Sequence, residues 1–249
     1  MKGLVRHIPN TLTCISLIFG FSAAISGMTG NYFCAMCCLL LAAVFDFSDG
    51  LAARMLKVCS MLGKELDSLA DVISFGVAPG MMLFSFLYKL SGSLSWNDTI
   101  VCKCLLFTSF AIPVFSAIRL AKFNIDERQK TSFIGLPVPA HAILWSSLIT
   151  VLASDTHVSW CIFPQFARLL SSIKPETMII VLSITALATS LLLISTIPLF
   201  SLKTSSFSWK TNKQVYILLA AAIVLIVFFG ILGLAATILL YILLSLIID

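Results

Sequence analysis

Long apolar runs, separated by short polar or glycine-containing segments, dominate this chain. Several approach or exceed the roughly 18–20 residues that a helix needs to cross a bilayer. The runs cover residues 11–28, 31–48, 69–91, 99–121, 134–153, 177–200, 215–230 and 231–248. The strands of a membrane β-barrel are short and alternate in polarity, whereas these runs are long and continuous. The pattern therefore predicts an all-α, polytopic membrane bundle of about eight transmembrane helices.

The final apolar stretch, from 215 to 248, is interpreted as two helices. A single helix of that length would overshoot any bilayer. Gly230 and Gly233 lie near its middle, and glycine is a common point of interruption in a helical pattern.

One span contains polar and helix-distorting residues. His141 is the lone histidine of the run 134–153, and we interpret it as a packed, hydrogen-bonded residue rather than a ligand. Pro137 and Pro139 precede it and are expected to distort that helix locally.

The composition fits a membrane protein and limits its partners. Hydrophobic residues make up 59% of the 249 residues and charged residues 11%, about half the charged share of a soluble domain. The formal net charge of +5 does not suggest nucleic acid as a partner. With the N-terminus in the cytoplasm, most lysines and arginines fall on one side, and Lys89 and Lys103 are among the few on the other. Both termini are therefore predicted to be cytoplasmic.

Acidic residues are scarce, yet they cluster between the second and third spans. Asp46 and Asp49 lie three residues apart at the end of one span, and Asp67 and Asp71 lie four apart at the start of the next. On a helix, both spacings place the two side chains on one face. The segment 50–66 joins the two helix ends, so the pairs can face each other across a helical hairpin. Ionisable groups at a membrane edge are usually functional.

Four carboxylates packed together would repel one another, and a divalent cation would relieve that repulsion. Ligation by oxygen alone favours Mg²⁺, Mn²⁺ or Ca²⁺ over zinc. Two such ions could stabilise both oxygens of a phosphoryl displacement. Gly50 allows close backbone approach, and Arg54 suits a phosphate. The alternative is a solvated hairpin whose acids pair with basic residues, namely Arg54, Lys57 and Lys64.

The same residues carry a family resemblance. The pattern Asp46-x2-Asp49-Gly50-x2-Ala53-Arg54-x8-Gly63-x3-Asp67-x3-Asp71 resembles the signature of the CDP-alcohol phosphatidyltransferases. The resemblance implies that Asp46, Asp49, Asp67 and Asp71 bind two metal ions, Mg²⁺ or Mn²⁺. It also implies that Asp71 is the general base that takes the proton of the incoming hydroxyl. The stretch Pro9-Asn10-Thr11-Leu12-Thr13 also looks like the opening of this superfamily. The residues that the resemblance implies hold the CDP-lipid are Asn10, Thr13, Gly50, Arg54 and Ser60.

Three further stretches resemble the phosphatidylserine synthases within this family: 67–79, 119–124 and 133–140. The resemblance implies CDP-diacylglycerol and L-serine as substrates, with phosphatidylserine and CMP as products. Arg119, Lys122 and Asn124 could contact the acceptor, and would also suit anchoring at lipid phosphates. The same chemistry with glycerol 3-phosphate or inositol phosphate as the acceptor is an alternative. A cation transporter is another, although its acids would be expected near the bilayer midplane.

The resemblance also bears on organisation. It covers roughly residues 9–203, so we expect a transferase domain over 1–203 and a C-terminal helix pair over 204–249 packed on it. It implies a homodimer in a bacterial inner membrane, with the active site facing the cytoplasm.

Overall fold

The computed structural model of the protein describes residues 7–58, 60–125, 133–153, 173–199 and 213–248. Eight helices account for nearly all of this part of the chain. They are α1 (Ile8–Met28), α2 (Tyr32–Met55), α3 (Met61–Ser91), α4 (Ile100–Ile125), α5 (Val138–Ala153), α6 (Pro175–Ile194), α7 (Lys213–Phe229) and α8 (Ile231–Ile248). Two short strands, β1 (Phe133–Ile134) and β2 (Pro198–Leu199), form one antiparallel pair.

Five of the helices, α1 to α4 and α6, are long and apolar enough to cross a membrane, and the other three are apolar but shorter. Many large apolar side chains on the outer faces of the helices are exposed. Such surfaces suit contact with lipid. The chain is therefore an integral membrane protein, and the prediction of an all-helical membrane fold is confirmed.

Two local predictions have different outcomes. Gly230 adopts a positive φ of 58° between α7 and α8, so the division of the last apolar run is confirmed. The predicted distortion of the helix around His141 is wrong, because α5 begins only at Val138. Pro137 precedes the helix and Pro139 lies in its first turn, where a missing N–H has no intrahelical role.

His141 is packed as predicted. Its ring is fully buried, and Nε2 lies 3.0 Å from Thr189 Oγ1 of α6. Trp145 Nε1 donates to both of these atoms, at 3.2 and 3.1 Å. The three side chains thus tie α5 to α6 inside the bundle.

Helix α3 begins earlier than the apolar pattern predicts, at Met61 rather than 69. Its first three turns are amphipathic and carry Asp67 and Asp71, so hydropathy alone does not reveal them. Immediately after Asp71 the helix widens into a π-helical segment, Val72–Val77. Segments of this kind are rare and often occur at functional sites.

Glycines bring α1 and α3 into close contact. A Cβ built on Gly20 would lie 2.6 Å from the Cα of Ser74, and one on Gly27 would lie 3.3 Å from the Cα of Met82. In a membrane the hydrophobic effect does not drive helices together, so close packing of their backbones is a main source of helix association. The register of α1 on α3 therefore depends on these two glycines.

We expect Gly20→Ala to destabilise the protein, because the added methyl group would push α1 away from α3. Overpacking of this kind costs about 1–3 kcal/mol. The midpoint of thermal unfolding in detergent should fall by several degrees. Gly92→Ala is the control, since a Cβ there would make only an ordinary contact of 3.6 Å. Equal stability of the two variants would contradict the packing argument.

Candidate active site

The four aspartates lie inside two consecutive helices, on either side of a tight turn. Helix α2 continues past Asp46 and Asp49 to Met55, and α3 begins at Met61. The connection is therefore shorter than the segment 50–66 expected from the sequence. Ser60 ends the turn as the N-cap of α3, with its hydroxyl accepting from the backbone N–H of Gly63 at 3.0 Å.

This hairpin brings the carboxylates together as predicted. One oxygen each from Asp46, Asp49 and Asp67 lies within 4.8 Å of the others. The carboxyl group of Asp46 also reaches that of Asp71, which adjoins the trio from the side of the π-helical segment. Asp49 is buried, and the other three are half-buried.

Two basic side chains of the hairpin helices, Arg54 and Lys64, form hydrogen bonds with backbone carbonyls. Arg54 Nε donates to the carbonyl of Gly50 at 3.0 Å, and Lys64 Nζ donates to the carbonyl of Asn124 at 3.1 Å. Crowded carboxylates in a partly desolvated place require compensation. An all-oxygen donor set of this size fits a hard divalent cation such as Mg²⁺ or Mn²⁺. The alternative hairpin would pair Arg54 and Lys64 with the aspartates, whereas the hydrogen bonds that these two side chains donate go to backbone carbonyls.

A cavity of about 580 Å³ opens beside the carboxylates, between α1, α2 and the start of α3. Asp49 and Asp67 line its inner side. The five residues predicted to hold the CDP-lipid all line it as well: Asn10, Thr13, Gly50, Arg54 and Ser60. The structure thus brings together residues that are up to 57 positions apart in the sequence.

Helix α1 is joined to the acidic hairpin by hydrogen bonds. Thr13 Oγ1 donates to Asp49 Oδ2 at 2.5 Å. Ser16 Oγ donates to the carbonyl of Ala42 at 2.9 Å. The first bond orients one carboxylate of the trio, and the second holds α1 against α2. One wall of the cavity is therefore fixed relative to the aspartates.

Gly50 leaves space in the cavity wall. A Cβ built on it would meet no protein atom within 4 Å. Protein packing therefore does not require a glycine at this position. The missing side chain instead leaves the backbone open to a ligand in the cavity.

Of the three predicted acceptor contacts, Arg119 is the one placed beside the aspartates. Its side chain is only 8% exposed, and Nε has no hydrogen-bond partner among the described residues. The guanidinium interacts electrostatically with Asp71 and with Tyr241 of α8. A buried guanidinium donor without a partner can bind an anionic group of a ligand.

The other two predicted contacts lie differently. Lys122 is exposed at the end of α4, and the Asn124 amide nitrogen donates to Ser68 Oγ at 2.8 Å. Sequence reasoning missed Ser68 and Tyr241. Ser68 stands between two signature aspartates without belonging to the pattern. Tyr241 lies in a uniformly apolar run that gives no signal of its partner.

Comparison with known proteins agrees with this geometry. Residues 6–186 match the sequence model of the family described as CDP-alcohol phosphatidyltransferase. This segment includes the cavity, the four aspartates and Arg119. It ends before α7 and α8.

Curated relatives give a consistent set of names. A CDP-diacylglycerol–serine O-phosphatidyltransferase of Bacillus subtilis is 37% identical over 136 residues, 54% of this chain and 71% of the relative. One of Helicobacter pylori is 36% identical over 140 residues, 55% of this chain and 54% of the relative. An archaetidylserine synthase of Methanothermobacter thermautotrophicus is 28% identical over 170 residues, 67% of this chain and 68% of the relative. The alignment thus spans about half the length of the Helicobacter relative.

Replacing one carboxylate of the trio should weaken cation binding. We expect Asp46→Asn to lower the affinity for Mn²⁺ by at least the roughly 10-fold seen when even an indirect metal partner is lost. Titration of purified protein with Mn²⁺, followed by electron paramagnetic resonance of the free ion, measures this. Asp98→Asn removes an exposed carboxylate outside the site and is the control. Unchanged Mn²⁺ affinity in Asp46→Asn would exclude the trio as a cation site.

Proposed function

Because the chain belongs to the CDP-alcohol phosphatidyltransferase family, we propose that it transfers the phosphatidyl group of CDP-diacylglycerol to the hydroxyl of L-serine. The products are phosphatidylserine and CMP. The observation that carries the proposal is the cavity of about 580 Å³ whose wall combines two signature aspartates, Asp49 and Asp67, with Gly50 and Arg54.

The donor occupies the cavity beside the hairpin. Arg54 and the exposed backbone at Gly50 bind the diphosphate, while Asn10, Thr13 and Ser60 supply polar contacts to the nucleotide. The acyl chains lie along the apolar helix surfaces that face lipid. This arrangement explains how a water-soluble acceptor can react with a lipid at a membrane surface.

Asp46, Asp49 and Asp67, with Asp71 adjoining, would hold the divalent cations of the reaction. When bound, these ions supply neutralisation of the diphosphate charge and of the charge that develops on the leaving group. The chain's own task is to keep the carboxylates close. The bond from Thr13 to Asp49 and the short turn before Ser60 do so.

Asp71 is the general base. It accepts the proton of the serine hydroxyl as that oxygen attacks the phosphorus bearing the diacylglycerol. The new phosphorus–oxygen bond forms while the bond to CMP breaks, and CMP leaves with the electron pair. Asp71 suits this role because it lies at the edge of the trio, next to Asp46 and Arg119.

Serine is proposed as the acceptor on two grounds. The relatives from Bacillus and Helicobacter are named for serine. The buried guanidinium of Arg119 offers one cationic partner beside Asp71, which suits the single carboxylate of serine. A phosphorylated acceptor would require a denser set of basic residues. We further propose that the protein is a homodimer in a bacterial inner membrane, with this site facing the cytoplasm.

The reaction can be tested by CMP release from CDP-diacylglycerol, using purified protein with Mn²⁺ or Mg²⁺ and L-serine. We expect serine-dependent CMP and phosphatidylserine, and a loss of about 100-fold or more in kcat for Asp71→Asn, since general base catalysis contributes on this order. Asp98→Asn should retain activity. CMP release with glycerol 3-phosphate or inositol phosphate but not with serine would contradict the proposal that serine is the acceptor. Absence of CMP release with any of these acceptors, from folded protein, would contradict the transferase.

Gly50→Ala should separate function from stability. Alanine favours a helix over glycine by up to about 1 kcal/mol, and its Cβ would meet no protein atom, so the thermal midpoint should not fall. The same methyl group would enter the cavity and raise the KM for CDP-diacylglycerol by roughly 10-fold. Gly92→Ala is the matched control. An unchanged KM would show that the donor does not approach Gly50.

A further inference from the structure

A closed set of hydrogen bonds joins α3 to α4 beside the aspartates. Asn124 Nδ2 donates to Ser68 Oγ at 2.8 Å, and Ser68 Oγ donates to the carbonyl of Lys64 at 3.1 Å. Lys64 Nζ in turn donates to the carbonyl of Asn124 at 3.1 Å. That carbonyl belongs to the last described turn of α4. A lysine at this end is also favoured by the helix dipole.

A second contact fixes the same two helices two turns away. A Cβ built on Gly76 would lie 3.2 Å from Ser116 Cβ, so α3 and α4 are in close contact there. The helices are antiparallel, since Ser68 faces Asn124 and Gly76 faces Ser116. The two contacts are about 12 Å apart along each helix. Between them α3 carries Asp71 and α4 carries Arg119.

We propose that Asn124 is a positioning residue: through Ser68 and Lys64 it fixes the end of α4 so that Arg119 stays beside Asp71. The inference rests on the proposed function and deepens it, because it explains how hydrogen bonds between α3 and α4 keep the proposed serine-binding group, Arg119, at a fixed distance from Asp71. Arg119 binds the serine carboxylate, and Asp71 takes the proton of its hydroxyl. The distance between these two groups must therefore match one small molecule.

The bridge has a different role from the cavity residues. Lys64 belongs to both, because it lines the cavity and donates to the carbonyl of Asn124. Asn124 and Ser68 do not line the cavity, and their hydrogen bond joins α3 to α4. Loss of the bridge should thus affect the acceptor and leave the donor largely unaffected. A direct contact between Asn124 and serine would behave differently, because Ser68 would then be irrelevant.

The experiment compares Asn124→Ala, Ser68→Ala and the double variant, with Ser68→Thr as the conservative replacement. We expect each alanine variant to raise the KM for serine by about 3- to 10-fold, the range for one lost hydrogen bond. The KM for CDP-diacylglycerol and the Mn²⁺ affinity should stay within 2-fold, roughly the limit of independent sites. The KM for serine of the double variant should be no higher than that of either single variant, and Ser68→Thr should retain the wild-type KM.

Ser22→Ala is the matched control, because the Ser22 hydroxyl donates to the carbonyl of Ile18 within α1. An effect of Asn124→Ala that Ser68→Ala does not share, or effects that add in the double variant, would overturn the bridge. So would an equal change in both KM values with a lower thermal midpoint, which is the mark of a purely structural role.

Hydrogen exchange tests the bridge independently of activity. Backbone amides of residues 119–125 should exchange faster in Asn124→Ala and Ser68→Ala than in wild type or Ser22→Ala. Unchanged exchange would contradict the inference even in an active enzyme. If the variants show this difference in exchange but the wild-type protein releases no CMP with serine, the proposed function is refuted and the bridge is supported.

Discussion

The repulsion among four carboxylates at the end of a membrane bundle is the constraint on which the site depends. Asp46, Asp49 and Asp67 present oxygens within 4.8 Å of one another, and Asp71 adjoins them. Nothing in their own helices offsets this charge, because Arg54 and Lys64 bond to backbone carbonyls. The fold must therefore hold α2 and α3 together against the repulsion. It does so through a turn of a few residues, an N-cap at Ser60 and packing of both helices on α1.

Helix α1 has a double role in this arrangement. It packs on α3 through Gly20 and Gly27, and it bonds to α2 through Ser16. Its first turns also line the cavity with Asn10 and Thr13. The same helix thus packs the bundle together and forms part of the wall of the cavity beside the aspartates. The cavity wall also touches the end of α4, because Lys64 lines the cavity and donates to the carbonyl of Asn124.

The helices could be predicted from the sequence because each depends on residues close together along the chain. Gly230 marked the break between α7 and α8, and the spacing of Asp67 and Asp71 placed both on one helical face. The amphipathic start of α3 escaped the apolar pattern, since its burial depends on α1 and α4. The roles of Pro137 and Pro139 were misjudged because the start of α5 depends on the preceding turn, where Gly135 adopts a positive φ of 75°.

The site could be predicted only where a spaced pattern carries it. That pattern placed Gly50 beside the aspartates, whereas the partner of Asn124 could not be predicted, because the pairing with Ser68 depends on the register of two antiparallel helices. Tyr241 illustrates the same limit from farther along the chain. It is buried in a cluster that includes Leu120 and Val138, and it interacts with Arg119. The surroundings of Arg119, the proposed acceptor contact, therefore include α8, beyond the segment that matches the family, while the cavity proposed for the donor lies wholly within that segment. The four signature aspartates thus lie within the family segment, whereas the surroundings of Arg119 depend in part on Tyr241 of the C-terminal helix α8.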